Sequence, residues 1–159
     1  MVMDSINNIV TFLPSHQRLI GLDLGSKTIG IALSDLSRRI ASPCTTIHRT
    51  KFQADADLLE GLANEHAIGG FVLGLPLNMN ASEGPRVQST RSFANNLAKR
   101  SDIPIVFWDE RLSTVAAERV LLEADVSRRR RAQVIDKMAA TYILQGALDY
   151  LSRKGTEPD

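Results

Sequence analysis

The chain has 159 residues, with 19 Lys and Arg against 18 Asp and Glu, which gives a formal net charge of +1. That length predicts one domain and leaves too little chain for a second. Hydrophobic residues make up 43% and charged residues 23%, values typical of a folded globular protein and not of a disordered one. No apolar run reaches the roughly 18 residues that a membrane span needs. The single cysteine excludes an intrachain disulfide and favours a reducing, cytoplasmic setting.

The N-terminal part of the chain predicts a leader and three strands. Residues 1–17 are polar, and we expect them to form a leader outside the domain. Apolar residues at 18–24, 29–33 and 40–47 predict three strands, because each run is strand-sized and ends at a glycine-containing or polar turn. Short turns between successive strands predict an antiparallel meander.

Helices and strands alternate in the rest of the chain. The predicted elements are a helix over 54–66, a strand over 68–75, a helix over 85–100, a strand over 103–108 and helices over 113–124 and 128–151. This order predicts an α/β fold with a mixed five-stranded sheet, three antiparallel strands followed by parallel ones, flanked by helices. Residues 152–159 are expected to form a C-terminal tail, which leaves 18–151 as the domain.

Two carboxylates follow predicted strands. Asp23 lies at the end of the first strand in GLDLG and points away from its leucine neighbours, because strand side chains alternate. Taken alone, it is explained at least as well as a turn-forming Asp before a glycine. Glu110 follows the strand over 103–108 within FWDERLST. It fits a charged loop, but the C-terminal end of a strand in an α/β sheet is also where ligand-binding groups gather.

A third carboxylate, Asp136, lies on the last predicted helix. It shares a helix face with small apolar residues, namely Ala139, Ala140, Ile143 and Ala147. An unpaired carboxylate on such a face would cost several kcal/mol, so we expect either a neighbouring arginine or lysine or a bound cation to neutralise it. Divalent cations such as Mg²⁺ and Mn²⁺ prefer oxygen ligands, and such ions hydrolyse phosphodiesters in two-metal nucleases.

Basic side chains lie near these acids in the sequence. Four consecutive arginines precede Asp136, namely Arg128, Arg129, Arg130 and Arg131. Such a run is commonly a solvated helix face, but beside a metal site it would bind phosphates. Further candidates for the same patch are Lys27, Arg86, Arg91 and Arg111. The near-zero net charge then reflects a basic patch beside an acidic pocket.

Two loops contain glycines. The segment GLPLNMNASEGPR at 74–86 ends one strand and starts a helix, where free N–H groups can contact phosphate; a plain surface loop explains it equally well. GSKT at 25–28 is not a P-loop, because a serine separates its glycine from its lysine.

Four segments together resemble one known family: GLDLGSKTIGIALSD, FVLGLP, WDERLSTVAAERVL and IDKMAATYILQGALDYL. In this order, over 18–151, they are similar to the YqgF (RuvX) family. The resemblance implies an RNase H-like fold and a nuclease that trims the 5′ end of precursor 16S ribosomal RNA in the bacterial cytoplasm. It also implies that Asp23, Glu110 and Asp136 form the acidic set. Thr28 departs from the family pattern, in which many members have arginine.

These observations lead to one hypothesis. A single RNase H-like domain would hydrolyse phosphodiester bonds with Mg²⁺ or Mn²⁺ held by the three acids. Phosphates of the nucleic acid, a structured RNA or a DNA junction, would be bound by Lys27, Arg86, Arg111 and the Arg128–Arg131 run. Precursor ribosomal particles are the implied partner, no membrane association is expected, and the pattern does not define an oligomeric state.

Three other functions are alternatives to this hypothesis. One is a Holliday-junction-type DNA resolvase, and another is a nucleic-acid-binding module without catalysis that acts in ribosome assembly or transcription. The third is an actin-like ATPase, which GLDLGSKTIG suggests. Such ATPases bind nucleotide between two related domains, and this chain has the length of one.

Overall fold

The computed structural model describes residues 1–3, 6–9, 13, 16–78, 80–112 and 128–156, with the backbone alone at 128–136 and 154–156. The strands are β1 (Val2–Met3), β2 (Arg18–Leu24), β3 (Thr28–Ser34), β4 (Ala41–His48), β5 (Ile68–Leu75) and β6 (Ile105–Asp109). The helices are α1 (Phe52–Glu65), α2 (Pro85–Ala98) and α3 (Arg128–Thr156), with 3₁₀ turns at Ile6–Asn8 and Glu110–Leu112. The helix predicted over 113–124 lies outside the described residues.

The strands form one mixed sheet in the order β1-β6-β5-β2-β3-β4. β2, β3 and β4 are antiparallel neighbours, because the short turns between them reverse the chain. β5 pairs parallel with β2 and β6 parallel with β5, each after a helix that returns the chain to the same end of the sheet. The predicted mixed α/β fold and its antiparallel meander are therefore confirmed.

The sheet has six strands, and the prediction of five was wrong by one. The additional strand, β1, lies within residues 1–17, which were expected to form a leader. Val2 and Met3 pair in parallel with Ile105 and Val106, and the Ile105 N–H donates to the Met1 carbonyl at 2.8 Å. A two-residue strand is too short to show an alternating pattern in the sequence, and only its distant partner strand defines it.

The two faces of the sheet carry separate apolar layers. On β2, Ile20 and Leu22 pack into the layer that includes α1 and α2, while Leu19 packs into the layer that includes α3. Because side chains alternate along a strand, Gly21 and Asp23 lie on the α3 face with Leu19. No helix in the described part of the chain is long and apolar enough to cross a membrane.

Helix α3 packs closely on the sheet through small side chains. A Cβ added at Gly21 would lie 2.7 Å from Leu144 Cβ and 3.0 Å from the Ala140 carbonyl oxygen. The buried contact strip of the helix consists of Ala139, Ala140, Ile143, Leu144, Ala147 and Leu148. The helix backbone therefore lies almost against β2, in the layer that Asp23 faces.

Candidate active site

Asp23 is a buried carboxylate near the end of β2, with 3% of its surface exposed. It pairs with Gly30 of β3. On its other side lies β5, in which Leu73 pairs with Leu22 of β2. The next position in this parallel register places Gly74 beside Asp23. Laterally paired residues point to the same face of a sheet, so the neighbours of Asp23 on the α3 face have no side chains. This leaves space around the carboxylate at the centre of the sheet.

Glu110 extends its carboxylate into that space. It is half-buried in the 3₁₀ turn after β6, two residues beyond Trp108, which pairs with Gly74. A Cβ at Gly74 would lie 2.6 Å from Glu110 Oε1, so the carboxylate occupies the volume of the missing side chain. Neighbouring strands are about 4.8 Å apart. Glu110 therefore lies in the position next to Asp23.

Asp136 belongs to the N-terminal half of α3, and its side chain lies outside what the structure describes. Two contacts give the direction of the helix. Gln145 accepts a hydrogen bond from the Ala41 N–H, at the start of β4, at 2.8 Å. The Ala140 carbonyl oxygen would lie 3.0 Å from a Cβ at Gly21, two residues before Asp23 in β2. Followed from Gln145 back toward position 136, α3 thus approaches the end of the sheet that carries Asp23.

The residues present fit a hard divalent cation. Asp23 and Glu110 supply carboxylate oxygens to one space, and Mg²⁺ is commonly held by one or two protein carboxylates together with water and phosphate oxygens. Among the side chains that the structure describes, no group of three His, Cys, Asp or Glu residues is close enough to hold a metal ion. Asp136 is not in that set, so a third ligand from α3 stays a prediction.

Arg111 forms an ion pair with Asp109. Its Nε lies 3.0 and 3.1 Å from the two carboxylate oxygens of Asp109, and its Nη2 lies 2.6 Å from Oδ2. Hydrogen bonds from this guanidinium lower the pKa of Asp109, and the same contact raises the pKa of Arg111. Arg111 therefore lies next to Glu110 with much of its charge already offset by a neighbour.

Two other predicted basic residues lie at the same end of the sheet. Lys27 is exposed in the turn between β2 and β3. Arg86 is exposed in the first turn of α2 and donates to the Leu24 carbonyl, directly after Asp23, at 3.5 Å. The four arginines Arg128–Arg131 begin α3, and their side chains lie outside the described set. The structure thus places Lys27, Arg86, Asp23 and Glu110 at one end of the sheet.

A cleft of about 450 Å³ opens at the end of β2, beside α2. Its walls are formed by Leu24, Gly25, Ser26, Arg49, Pro85, Arg86 and Ser89. Sequence reasoning missed Arg49. The signal was present, because an antiparallel β3–β4 pair brings the end of β4 beside the turn that follows β2. The Arg49 N–H indeed donates to the Lys27 carbonyl at 2.8 Å.

Comparison with known proteins agrees with this architecture. The model of the RuvX family, described as Holliday junction resolvase, matches residues 17–150. A relative from Cereibacter sphaeroides (strain KD131) is 59% identical over 99% of this chain and 98% of its own length. Another from Paramagnetospirillum magneticum is 63% identical over 89% of this chain and 91% of its own. Both relatives bear the name "Putative pre-16S rRNA nuclease".

Solved structures give the same fold at low sequence identity. The Thermus thermophilus RuvC in complex with a Holliday junction substrate superposes with a TM-score of 0.56 at 9% identity, covering 89% of this chain and 98% of that one. A second T. thermophilus RuvC structure gives a TM-score of 0.52 at 8% identity, covering 88% and 98%. At this identity the likeness shows the fold alone.

The fold and the family comparisons together define a class. The chain has an RNase H-like fold and is a nuclease, a hydrolase of phosphodiester bonds. Within that class, the chain belongs to the RuvX family, because the family model matches most of its length and its relatives exceed half identity over nearly all of it.

Proposed function

We propose that this chain is a divalent-metal-dependent nuclease that matures the 5′ end of precursor 16S ribosomal RNA. The observation that supports catalysis is the position of Glu110, whose carboxylate fills the space above Gly74, next to the buried Asp23. The name of the curated relatives supports the substrate. Mg²⁺ or Mn²⁺ is the proposed cofactor, because the donors are carboxylate oxygens.

Each acid has a proposed role set by its surroundings. Asp23 is fixed in a central strand under α3, so its carboxylate has little freedom to move and would bind a cation in one geometry. Glu110 comes from the end of β6 and would bind from the side of β5. Asp136, approaching from α3, is the proposed third ligand. When bound, a divalent cation would supply a Lewis acid that activates water and offsets the charge of the phosphate.

The basic residues would orient the nucleic acid. Lys27, in the turn after β2, and Arg86, in the first turn of α2, are exposed, and both would contact backbone phosphates near the acids. Arg111 would also contact a backbone phosphate while it stays paired with Asp109. The Arg128–Arg131 run would extend these phosphate contacts along the start of α3. Such contacts position the strand without reading its sequence, which suits a nuclease that recognises a structured RNA by shape.

The same proposal includes the setting and extent of the enzyme. Precursor ribosomal particles are also the proposed partner and the bacterial cytoplasm the proposed place of action; the name of the relatives supports the precursor 16S RNA as substrate. The nuclease unit is proposed to extend over residues 18–151, to which β1 adds an edge strand and residues 152–156 add the end of α3.

Cleavage of a precursor 16S RNA fragment by the purified chain tests this function. The wild type should cleave with Mg²⁺ or Mn²⁺ and not with EDTA. Asp23→Asn, Glu110→Gln and Asp136→Asn should each lower the rate by more than about 100-fold, because even residues that only orient metal ligands contribute 10- to 100-fold. Asp149→Asn, an exposed acid on the same helix as Asp136, should leave the rate unchanged.

Two results would contradict the proposal. Equal residual cleavage in the wild type and the three acid variants would identify a contaminating nuclease. Salt-dependent RNA binding without any metal-dependent turnover would instead favour a binding module that lacks catalysis.

A second candidate function is resolution of DNA four-way junctions, which the description of the family supports. A synthetic four-way DNA junction in the same assay separates the two. Faster cleavage of the junction than of the RNA, with the same loss in Asp23→Asn, would favour the resolvase.

A further inference from the structure

The cleft beside α2 contains two guanidinium groups on the opposite side of β2 from Asp23. Leu24, which lines the cleft, directly follows Asp23 in the chain and packs into the α1–α2 layer. A strand advances about 3.3 Å per residue. The cleft residues Leu24, Gly25 and Ser26 follow Asp23 directly, so their backbone lies within about 10 Å of the backbone of Asp23. The cleft therefore adjoins the acidic site without sharing a side chain with it.

Arg49 is held in place at one wall of this cleft. Its Nη1 donates to the Gly25 carbonyl at 2.6 Å, and its Cζ lies 5.6 Å from the centre of the buried Phe93 ring. These two contacts fix the guanidinium but use few of its five N–H donors. A prearranged guanidinium loses little side-chain freedom when it binds an anion, which favours binding.

Neither Arg49 nor Arg86 forms an ion pair with a side chain that the structure describes. Among the described side chains, Arg91, Arg100 and Arg111 each form an ion pair, whereas neither cleft arginine does. Arg86 makes one long contact to a carbonyl, at 3.5 Å. The first turn of α2, which forms the remaining wall, contains no acidic residue. The cleft therefore presents two guanidinium groups that no ion pair with a described side chain neutralises.

We propose that this cleft binds one backbone phosphate of the nucleic-acid substrate, with Arg49 and Arg86 as its two guanidinium ligands and the Ser26 and Ser89 hydroxyls as further donors. Guanidinium groups bind phosphate oxygens with paired N–H groups, and two of them lining one cleft suit a single phosphate. The proposal rests on the proposed nuclease function and adds a second anchor for the strand, beside the acids. Such an anchor would fix the register of the strand at the site of cleavage.

RNA binding in EDTA tests the anchor without catalysis. The affinity of a fluorescent single-stranded RNA is measured by anisotropy over a range of salt concentrations, for the wild type, Arg49→Gln, Arg86→Gln and the double variant. Each substitution should raise Kd about tenfold. Because both guanidinium groups bind the same phosphate, the double variant should lower the slope of log Kd against log salt by about 0.7, the value for one phosphate contact on a single strand. Each single variant should lower the slope by part of that amount.

Arg100→Gln is the matched control. It removes the same charge at the opposite end of α2, about 20 Å away, where Arg100 pairs with Asp57 and Glu60. It should leave the slope at the wild-type value. Arg49→Lys gives a second test of the site, because it keeps the charge but lacks the paired donors; it should keep the slope and still raise Kd. Thermal unfolding checks that every variant is folded.

The outcomes separate this inference from the proposed function. A wild-type slope in the folded Arg49→Gln, Arg86→Gln double variant would overturn the anchor, even if the enzyme cleaves RNA. Reduced slopes in an enzyme without metal-dependent cleavage would support the anchor and overturn the nuclease function. If the variants lose binding of inorganic phosphate by NMR but keep the RNA slope, the cleft takes free phosphate only, and the anchor is overturned.

Discussion

Gly74 determines where Glu110 can lie, although it contributes no side chain. Any larger residue would place its Cβ 2.6 Å from Glu110 Oε1 and 2.5 Å from Ile143 Cδ1. Ile143 is a fully buried contact of α3, so the helix and the carboxylate meet over the same glycine. The position of an acid from β6 therefore depends on the size of a residue in β5.

We predict that Gly74→Ala reduces both stability and cleavage. The added methyl group forces Glu110 and Ile143 to move, which should cost about 1–3 kcal/mol in the free energy of unfolding. Cleavage should fall by more than tenfold with the affinity for RNA in EDTA unchanged. Urea unfolding and the assays above measure these effects.

Gly61→Ala is the control for that substitution. Gly61 lies on the exposed side of α1, and a Cβ there would meet nothing within 4 Å. The alanine should stabilise the helix by about 1 kcal/mol and leave cleavage unchanged. Full activity in Gly74→Ala would show that Glu110 need not occupy the space above residue 74.

Among the elements, the turn between β3 and β4 is stabilised by one carboxylate. Asp35 accepts hydrogen bonds from the Arg39 N–H at 2.8 Å, the Ile40 N–H at 3.1 Å and the Ser37 hydroxyl at 2.6 Å. The hydroxyl of Ser37 and these backbone N–H groups lower the pKa of Asp35 from 3.8 to about 2. The turn thereby keeps β3 and β4 in register at the edge of the sheet.

We predict a pH-dependent effect of Asp35→Asn. Because the pKa is lowered by folding, the charged carboxylate stabilises the native state above pH 3.8, and this contribution is lost as the pH falls toward 2. The variant should be less stable by about 1 kcal/mol near neutral pH, a value reduced for solvent screening, and the difference should shrink below pH 4. Urea unfolding at several pH values measures it. An NMR titration in which Asp35 titrates near 4 would contradict the cause.

For the whole molecule, the sequence predicted what depends on local pattern. The meander, the alternating helices and strands, and the positions of Asp23 and Glu110 at the ends of strands all followed from apolar runs and turns. The register that brings Glu110 above Gly74 could not be predicted, because it depends on how three separate strands align. β1 was missed for the same reason, since its partner Ile105 is remote in the chain.

The N-terminal residues should therefore contribute strongly to stability. Met3, Ile6 and Ile9 are buried against the layer that includes α3 and Trp108. A chain that begins at Arg18 loses all three, and we expect its free energy of unfolding to fall by at least about 3 kcal/mol. Urea unfolding of the two chains checks this. Equal stability would support the expected domain boundary at residue 18.

The pairing of β1 with β6 also has a consequence for how the protein folds during synthesis. The N-terminal segment leaves the ribosome well before the residues it contacts: Val2 pairs with Ile105, and Asn7 donates to the Tyr150 hydroxyl at 3.2 Å. At 5–20 residues per second, about 5–20 s pass before β6 exists. The β2–β4 meander needs only local contacts and can form early. The edge of the sheet at β1 is therefore completed last, after the strand that carries Asp23 is already in place.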